Sequence, residues 1–131
     1  MISKKRTLKV SKKKNILIVD DDRNLLDLFI LLFEEFNFEL TSATSGNSAF
    51  KILEETPQRF DYVLSDINMP DGDGVELLKK TMENIKNPPG FYLMTGYSDF
   101  DEETLLKLGA KEVFSKPIQF EEIIEKISSA N

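Results

Sequence analysis

Short apolar runs alternate along the chain with longer segments in which apolar residues recur every three or four positions. The run NILIV at 15–19 is typical of a parallel strand that is buried on both faces. The segment 23–36 instead has apolar residues spaced i, i+3, i+4, i+7 and i+11, as in an amphipathic helix. Continued to the end of the chain, this alternation predicts strands at 15–19, 38–42, 62–65, 91–95 and 112–115, and helices at 23–36, 46–55, 75–85, 99–108 and 120–128.

Five strands alternating with five helices predict an α/β fold. A doubly wound, mostly parallel sheet with right-handed crossovers is the arrangement that such a chain adopts. The length of 131 residues suits one domain, since domains cluster at about 100 to 150 residues. We expect this domain at 15–131, preceded by a tail at 1–14.

The tail differs from the rest of the chain in charge. Residues 1–14 hold seven lysines and arginines and no acidic residue, whereas 15–131 hold ten basic and 23 acidic residues. A short, strongly charged terminus is expected to be disordered. Its charge would also suit contact with an acidic partner, nucleic acid or anionic lipid, and the sequence leaves both interpretations open.

Composition excludes several classes of site. The chain has no cysteine and no histidine, so disulfides, thiol nucleophiles, imidazole bases and Cys/His zinc sites are ruled out. Apolar runs such as LFILLF at 28–33 are far shorter than the roughly 20 residues that span a bilayer. We therefore expect a cytoplasmic protein without a membrane span, whose chemistry relies on carboxylates, hydroxyls and lysines.

Reactive side chains follow the predicted strands at their carboxyl ends. In a parallel sheet these ends meet at one edge, where open α/β sheets bind ligands. Carboxylates gathered there would repel one another unless a cation lay between them, and Mg²⁺ prefers oxygen ligands. A lysine and a hydroxyl beside a metal-bound aspartate suit acceptance of a phosphoryl group. The residues concerned are Asp20, Asp21, Asp22, Asp66, Thr95 and Lys116.

Four segments of the sequence together resemble a known family. ILIVDDD, VLSDINMPDGDG, LMTG and GAKEVFSKPI are similar, in order and spacing, to the motifs of the response-regulator receiver domain of two-component signalling. The resemblance covers residues 15 to 130. It implies a flavodoxin-like receiver fold, in which a five-stranded parallel sheet of order 2-1-3-4-5 is flanked by five helices.

The resemblance also implies a role for each matching residue. Asp66 corresponds to the phosphoacceptor, and the Lys116–Pro117 bond is expected to be cis, which prolyl bonds permit. Mg²⁺ is the expected cofactor, with Mn²⁺ able to substitute. The implied metal ligands are Asp20, Asp21, Asp66 and the backbone carbonyl of Asn68, while Thr95 and Lys116 are implied to contact the phosphoryl group.

A stand-alone signalling protein is the function that this resemblance implies. The phosphoryl group would come from a histidine kinase or a histidine phosphotransfer domain, and the chain would then bind an unidentified partner or relay the group. It would be a phosphoprotein that catalyses its own phosphorylation and dephosphorylation rather than an enzyme for other substrates. Because the sequence ends after the last predicted helix, we expect no DNA-binding domain unless the chain is a fragment.

A haloacid-dehalogenase-like phosphatase is the alternative. Its first motif is an apolar strand followed by D-x-D, which Asp20 and Asp22 would supply, with Asp20 as the nucleophile. That family needs a further acidic motif at a strand end after the lysine. Only Glu121 and Glu122 follow Lys116, on the last predicted helix, so the match is incomplete.

One position departs from the usual receiver pattern, and a second bears on the lifetime of the phosphoryl group. Receivers commonly have Tyr or Phe where this chain has Val113, and the neighbouring Phe114 is predicted to point into the core instead, because adjacent strand residues face opposite sides. We therefore expect a weakened or altered aromatic switch. Tyr97, two residues after Thr95, corresponds to a position that in this family borders the path of the attacking water, so the resemblance implies that it slows loss of the phosphoryl group.

The first predicted helix has two apolar stripes. Leu25, Leu28, Phe29, Leu32 and Phe36 form the predicted core stripe. A second stripe of Leu26, Ile30 and Phe33 is interpreted either as a docking face for a kinase or as a surface covered by neighbouring elements.

Overall fold

A computed structural model of the chain describes residues 13–96 and 100–130. The predicted tail, apart from its last two residues, and Tyr97 lie outside the described residues, so the predictions about them are not tested. The strands are β1 (Lys14–Val19), β2 (Phe38–Ala43), β3 (Tyr62–Asp66), β4 (Gly90–Thr95) and β5 (Ala110–Ser115). The helices are α1 (Arg23–Glu34), α2 (Gly46–Glu55), α3 (Gly74–Asn84), α4 (Glu102–Lys107) and α5 (Phe120–Ser128).

The five strands form one parallel sheet in the order β2-β1-β3-β4-β5. This confirms the predicted fold class and strand order. Strand β3 lies in the middle, paired with β1 on one side and β4 on the other, and all five of its residues are buried. The carboxyl ends of β1, β3, β4 and β5 therefore meet at one edge of the sheet.

Each face of the sheet carries its own hydrophobic core. On one face, α1 and α5 pack over residues such as Ile16, Leu64 and Tyr92. On the other face, α2, α3 and α4 contribute to a second core around Leu17, Val63 and Leu93. Central strands that are covered on both sides account for the all-apolar runs in the sequence.

A ladder of aromatic rings crosses the α1 and α5 face of the sheet. Successive ring centroids lie 5.0 to 6.2 Å apart, within the usual range for interacting aromatic pairs. The ladder joins both helices to β2, β3, β4 and β5. In spatial order its members are Phe120, Phe29, Phe33, Phe38, Tyr62, Tyr92 and Phe114.

Acidic and hydroxyl side chains fix the starts of four helices. Asp22 caps α1 by accepting from the backbone N–H groups of Asn24 and Leu25. Asp73 forms a reciprocal capping box with Glu76 at the start of α3. Ser45 and Asp101 cap α2 and α4 in the same sense. These caps fix the start of each helix near the edge of the sheet where the carboxyl ends of the strands meet.

The predicted orientation of α1 is wrong. The helix buries Leu26, Phe29 and Phe33, so two of the three residues of the second stripe are covered by neighbouring elements, as one of its two interpretations expected. Leu28 and Phe36, which were predicted to be buried, are 41% and 54% exposed. Helix α1 also ends at Glu34, before the predicted boundary at Phe36. The surface that α1 presents is therefore a different one from that predicted.

Other boundaries shift by one or two residues. Strand β5 begins at Ala110 rather than 112, because its pairing with β4 continues past an irregularity between Phe91 and Tyr92. Helix α4 begins at Glu102, after its cap Asp101, rather than at 99. Among the described residues, the helices are all too short or too polar to cross a bilayer.

Candidate functional site

Asp66 lies at the end of β3 and is buried, with only 4% of its surface exposed. Its place in the central strand explains the burial, since β1 and β4 flank it within the sheet. The next residue continues the pairing, because the backbone N–H of Ile67 donates to the carbonyl of Met94 at 3.0 Å. The strand thus delivers a carboxylate to the functional edge inside a fixed backbone.

Two further acids from the end of β1 lie beside Asp66. One carboxylate oxygen from each of Asp20, Asp21 and Asp66 lies within 4.8 Å of the others. Asp20 is buried, whereas Asp21 is exposed. The carboxylate of Asp22 caps α1 instead. Asp22 therefore does not belong to the cluster formed by Asp20, Asp21 and Asp66.

Burial dominates the electrostatics of Asp20. The pKa of this carboxyl is raised to about 6, and burial is the largest cause. The nearby charge of Asp66 also raises the pKa, whereas the backbone N–H of Asp22 lowers it. The Asp22 N–H donates to Asp20 Oδ1 at 2.9 Å. The charged form of Asp20 is therefore costly in the absence of a cation.

Lys116 supplies the positive charge at the site. Its Nζ lies 3.2 Å from Asp66 Oδ1, and its backbone N–H donates to the carbonyl of Thr95 at 2.8 Å. The Lys116–Pro117 bond is cis, as expected. Burial raises the pKa of Asp66, and the Lys116 charge and hydrogen bond oppose that rise. Lys116 thereby favours the ionised, nucleophilic form of Asp66.

Thr95 lies at the end of β4, on the neighbouring strand. Its hydroxyl oxygen is buried and makes no hydrogen bond with the described part of the chain. Gly96 follows it, and a Cβ at this position would lie 3.4 Å from Lys116 Cδ, so the glycine leaves room for the lysine stem. Buried hydroxyls normally have a partner, so the Thr95 hydroxyl suits a ligand at this edge.

The predicted residues therefore separate into two groups. Asp20, Asp21, Asp66, Thr95 and Lys116 lie at the same edge of the sheet. Asn68 is exposed in the loop that joins β3 to α3, and its assigned role as a carbonyl ligand stays a prediction.

This donor set fits a hard divalent cation. Carboxylate oxygens are the preferred protein ligands of Mg²⁺. Asp20 Oδ2 is buried without a hydrogen-bond partner among the described residues, although buried carboxylates are normally compensated. A cation between Asp20, Asp21 and Asp66 would supply the missing partner and relieve the repulsion among the three acids.

Two glycines shape the loop after Asp66. Gly74 begins α3, its N–H donates to the carbonyl of Ile67, and a Cβ on it would lie only 2.3 Å from the carbonyl oxygen of Asp66. Gly72 has a φ of +92°, which favours glycine. The sequence shows the GDG motif at 72–74. It does not show that a side chain at position 74 would overlap the carbonyl oxygen of Asp66.

The start of α2 holds the same loop from the other side. The N–H groups of Gly46 and Asn47 donate to the carbonyls of Gly72 and Asp71. The Asn47 side chain adds a bond to Asp71 Oδ1 at 2.8 Å. A Cβ at Gly46 would lie 2.4 Å from the Gly72 oxygen. The first turn of α2 and the first residue of α3 thus fix the loop that follows the predicted phosphoacceptor.

We expect Gly74→Ala to destabilise the protein and weaken the functional site. The added methyl group overlaps the Asp66 carbonyl, so the loop or the strand end must move, at a cost of about 1 to 3 kcal/mol in the free energy of unfolding. Urea denaturation measures this change, and calorimetric titration measures the accompanying loss of Mg²⁺ affinity. Gly90→Ala is the matched control, because its nearest contact would be an ordinary 3.4 Å. Equal stability of the two variants would contradict the prediction.

The predicted inward orientation of Phe114 on β5 is confirmed. Phe114 is buried in the α1 and α5 core and stacks on Tyr92, with ring planes 18° apart. Val113 faces the opposite side and packs partly buried against the other core. Phe114 therefore does not occupy the side of β5 on which Val113 lies.

The comparisons with known proteins agree with this geometry. The family model for the response regulator receiver domain matches residues 16–128. The response regulator SaeR of Staphylococcus epidermidis is 30% identical over 110 residues, which are 84% of this chain and 47% of that protein. SaeR of Staphylococcus aureus is 29% identical over 115 residues, covering 88% of this chain and 49% of that protein. The chain thus spans about half the length of these curated relatives.

Solved structures show the same fold. A CheY-like receiver domain protein from Methanospirillum hungatei superposes with a TM-score of 0.79 at 30% identity, covering 89% of this chain and 92% of that one. The CheX-CheY-BeF3-Mg+2 complex from Borrelia burgdorferi contains a chain with a TM-score of 0.83 at 26% identity, covering 90% and 89%. The comparisons give no support to the phosphatase alternative. The chain belongs to the response regulator receiver domain family of two-component signalling.

Proposed function

We propose that the chain accepts a phosphoryl group on Asp66 from the phosphohistidine of a histidine kinase or histidine phosphotransfer domain. The observation that carries this proposal is the environment of Asp66, a buried carboxylate 3.2 Å from a lysine and within 4.8 Å of two other acids. Phosphoryl transfer depends mostly on positioning and charge neutralisation, and the site offers both.

The chain's own residues perform the transfer as follows. The ionised carboxylate of Asp66 attacks the phosphorus atom, so a P–O bond forms as the P–N bond to the donor imidazole breaks. The imidazole retains the bonding electron pair and takes up a proton. Lys116 then pairs with a phosphoryl oxygen in place of Asp66 Oδ1, and the Thr95 hydroxyl donates to another.

Asp20, Asp21, Asp66 and the backbone carbonyl of Asn68 are the proposed ligands of Mg²⁺, with Mn²⁺ as a substitute. A bound Mg²⁺ would neutralise the charge on the transferring phosphoryl group. Two observations support this assignment. Asp20 Oδ2 has no hydrogen-bond partner among the described residues, and the carboxylates of Asp20, Asp21 and Asp66 lie close together. We also propose that the same groups allow the protein to phosphorylate itself from small donors and to hydrolyse its aspartyl phosphate.

The direct test uses acetyl phosphate as the donor. With Mg²⁺, intact mass spectrometry should show a gain of about 80 Da, and the gain should disappear when EDTA is added before the donor. The added mass should decay after removal of the donor, since an acyl phosphate hydrolyses. A gain that persists in EDTA would count against the metal-assisted mechanism.

We propose that the phosphorylated chain signals by binding a protein partner or relays the group, in the cytoplasm where the kinase is phosphorylated. The Borrelia receiver chain occurs in a complex with CheX, which supports partner binding as one output of this fold. The SaeR relatives are about twice as long as this chain, so the expected lack of a DNA-binding domain is not tested.

We also propose that Val113 alters the conformational response of this receiver. Phe114 is held in the opposite core by its contact with Tyr92, so it is not free to replace an aromatic ring at 113. Beryllofluoride titration followed by NMR should give small shifts around β5 and large shifts around Asp66 and Thr95. A shift of full size centred on Val113 would contradict this interpretation.

A further inference from the structure

A largely apolar groove lies between the end of α1 and the α5 helix. Its volume is about 530 Å³. Phe36, which is 54% exposed, and Ile124 supply apolar walls. The other lining residues are Glu121, Glu125, Ser128 and Ser129. A groove with this lining would suit a segment that carries both apolar and basic side chains.

The charged side chains that line the groove are of one sign. Both charged residues in its lining, Glu121 and Glu125, are acidic. Glu34 and Glu35, immediately before Phe36, are exposed and acidic as well. An unbalanced acidic rim attracts cationic side chains, most strongly at low ionic strength.

The chain enters the described fold beside this groove. The backbone N–H of Lys14 donates to the carbonyl of Asn37 at 3.3 Å, and Asn37 directly follows Phe36. The Tyr62 hydroxyl donates to the carbonyl of Ala130 at 2.6 Å. Because Lys14 and Tyr62 begin β1 and β3, this bond places the end of α5 at the edge where the strands begin, opposite the edge that holds Asp66. Lys13, to which residues 1–12 are joined, is therefore next to a residue that lies close to the Phe36 end of the groove.

The sequence of residues 1–12 complements the groove. It contains Lys4, Lys5, Arg6, Lys9 and Lys12 and no acidic residue. Leu8 and Val10 are two positions apart, so they share one face of an extended chain. Leu8 lies five residues before Lys13, a span of about 17 Å when extended, which is about three turns of an α-helix.

We propose that the basic segment 1–12 of this chain binds in the α1 and α5 groove. Leu8 and Val10 contact Phe36 and Ile124, and the lysines pair with Glu121 and Glu125. The segment thereby covers the apolar surface of the groove. This inference does not depend on phosphorylation of Asp66.

Paramagnetic relaxation enhancement in the full chain tests the proposal. Because the chain has no cysteine, Thr7→Cys gives a single attachment site for a nitroxide. We expect strong broadening of the amide resonances of Ile124 and Ser128. The broadening should fall at least twofold in a Glu121→Lys/Glu125→Lys variant and in Leu8→Ser/Val10→Ser.

A matched charge reversal on the opposite face provides the control. Glu54→Lys/Glu55→Lys changes two exposed acids on α2, so it should leave the broadening unchanged, and well-dispersed spectra would show that each variant folds. Equal broadening in the two double-lysine variants would overturn the proposal. So would broadening of ¹⁵N-labelled chains by separately spin-labelled, unlabelled chains, since that result would assign the groove to a second copy.

Discussion

Asp66→Asn is expected to abolish the gain of about 80 Da from acetyl phosphate and Mg²⁺. An amide is a poor nucleophile for phosphorus, and no other described carboxylate combines burial with a lysine at 3.2 Å. The variant should nevertheless fold, because burial raises the pKa of Asp66 and removal of a costly buried charge relieves the native state. Intact mass and urea denaturation measure the two effects on the same sample.

Asp22→Asn is the matched control for this substitution. Asp22 is an exposed acid near the site whose carboxylate caps α1, and asparagine is an equally good cap. The control should therefore keep both its stability and its phosphorylation. A result in which Asp66→Asn still forms a covalent phosphate, while Asp20→Asn does not, would instead favour the haloacid-dehalogenase-like mechanism with Asp20 as nucleophile.

Asp20→Asn should change stability and metal binding in opposite directions. In EDTA at pH 7.5 we expect it to raise the free energy of unfolding by about 1 to 3 kcal/mol, since a pKa difference of one corresponds to about 1.4 kcal/mol. Its affinity for Mg²⁺ should fall at least tenfold, because a buried carboxylate ligand becomes neutral. Urea denaturation and isothermal titration calorimetry give the two values.

The pH dependence identifies the source of the stabilisation. The pKa of Asp20 is about 6 in the folded protein and about 3.9 when unfolded, so the folded state binds more protons between these values. The contribution of Asp20 to the free energy of unfolding of the wild-type protein therefore falls as the pH rises from 4 to 6. The increase in the free energy of unfolding caused by Asp20→Asn should be small at pH 4 and reach its full value above pH 7. An advantage that does not vary with pH would contradict the electrostatic explanation.

Metal binding should show the reverse pH trend. Protons compete with Mg²⁺ for Asp20, so the affinity should weaken as the pH falls below 6. Asp27→Asn is a suitable control, because Asp27 is exposed on α1 and lies outside the trio of acids. That variant should bind Mg²⁺ as the wild type does.

The strand ends were the part of the structure that the sequence predicted best. Each apolar run is short, is bounded by polar residues and alternates with a helix, so a parallel sheet was the one arrangement that buried all five runs. Once the strands were parallel, Asp20, Asp66, Thr95 and Lys116 had to lie at a common edge. Topology alone thus brought together residues that are far apart in the chain.

The orientation of α1 could not be predicted in the same way. Seven of the eight positions from Leu26 to Phe33 are apolar, so periodicity does not identify a unique buried face. The choice depends on tertiary contacts such as that of Phe29 with Phe120, whose ring centroids are 5.0 Å apart. Such contacts are absent from any local pattern.

The loop after Asp66 shows a second limit. Gly46 and Gly74 are separated in sequence, and each is needed because another segment's carbonyl oxygen would approach an added Cβ within 2.4 Å. A sequence signal of this kind indicates a turn or a helix start, but it does not reveal which backbone group lies opposite. The fixed position of the loop is therefore a property of the folded chain only.

The aromatic ladder across the α1 and α5 face has a spectroscopic consequence. The chain has three tyrosines and no tryptophan, and two of those tyrosines, Tyr62 and Tyr92, lie in the middle of the ladder with their rings 6.2 Å apart. Near-ultraviolet circular dichroism reports the fixed packing of such rings and vanishes when tertiary packing is lost. The native chain therefore contains its own optical reporter of tertiary structure, placed in the core between the helices and the sheet.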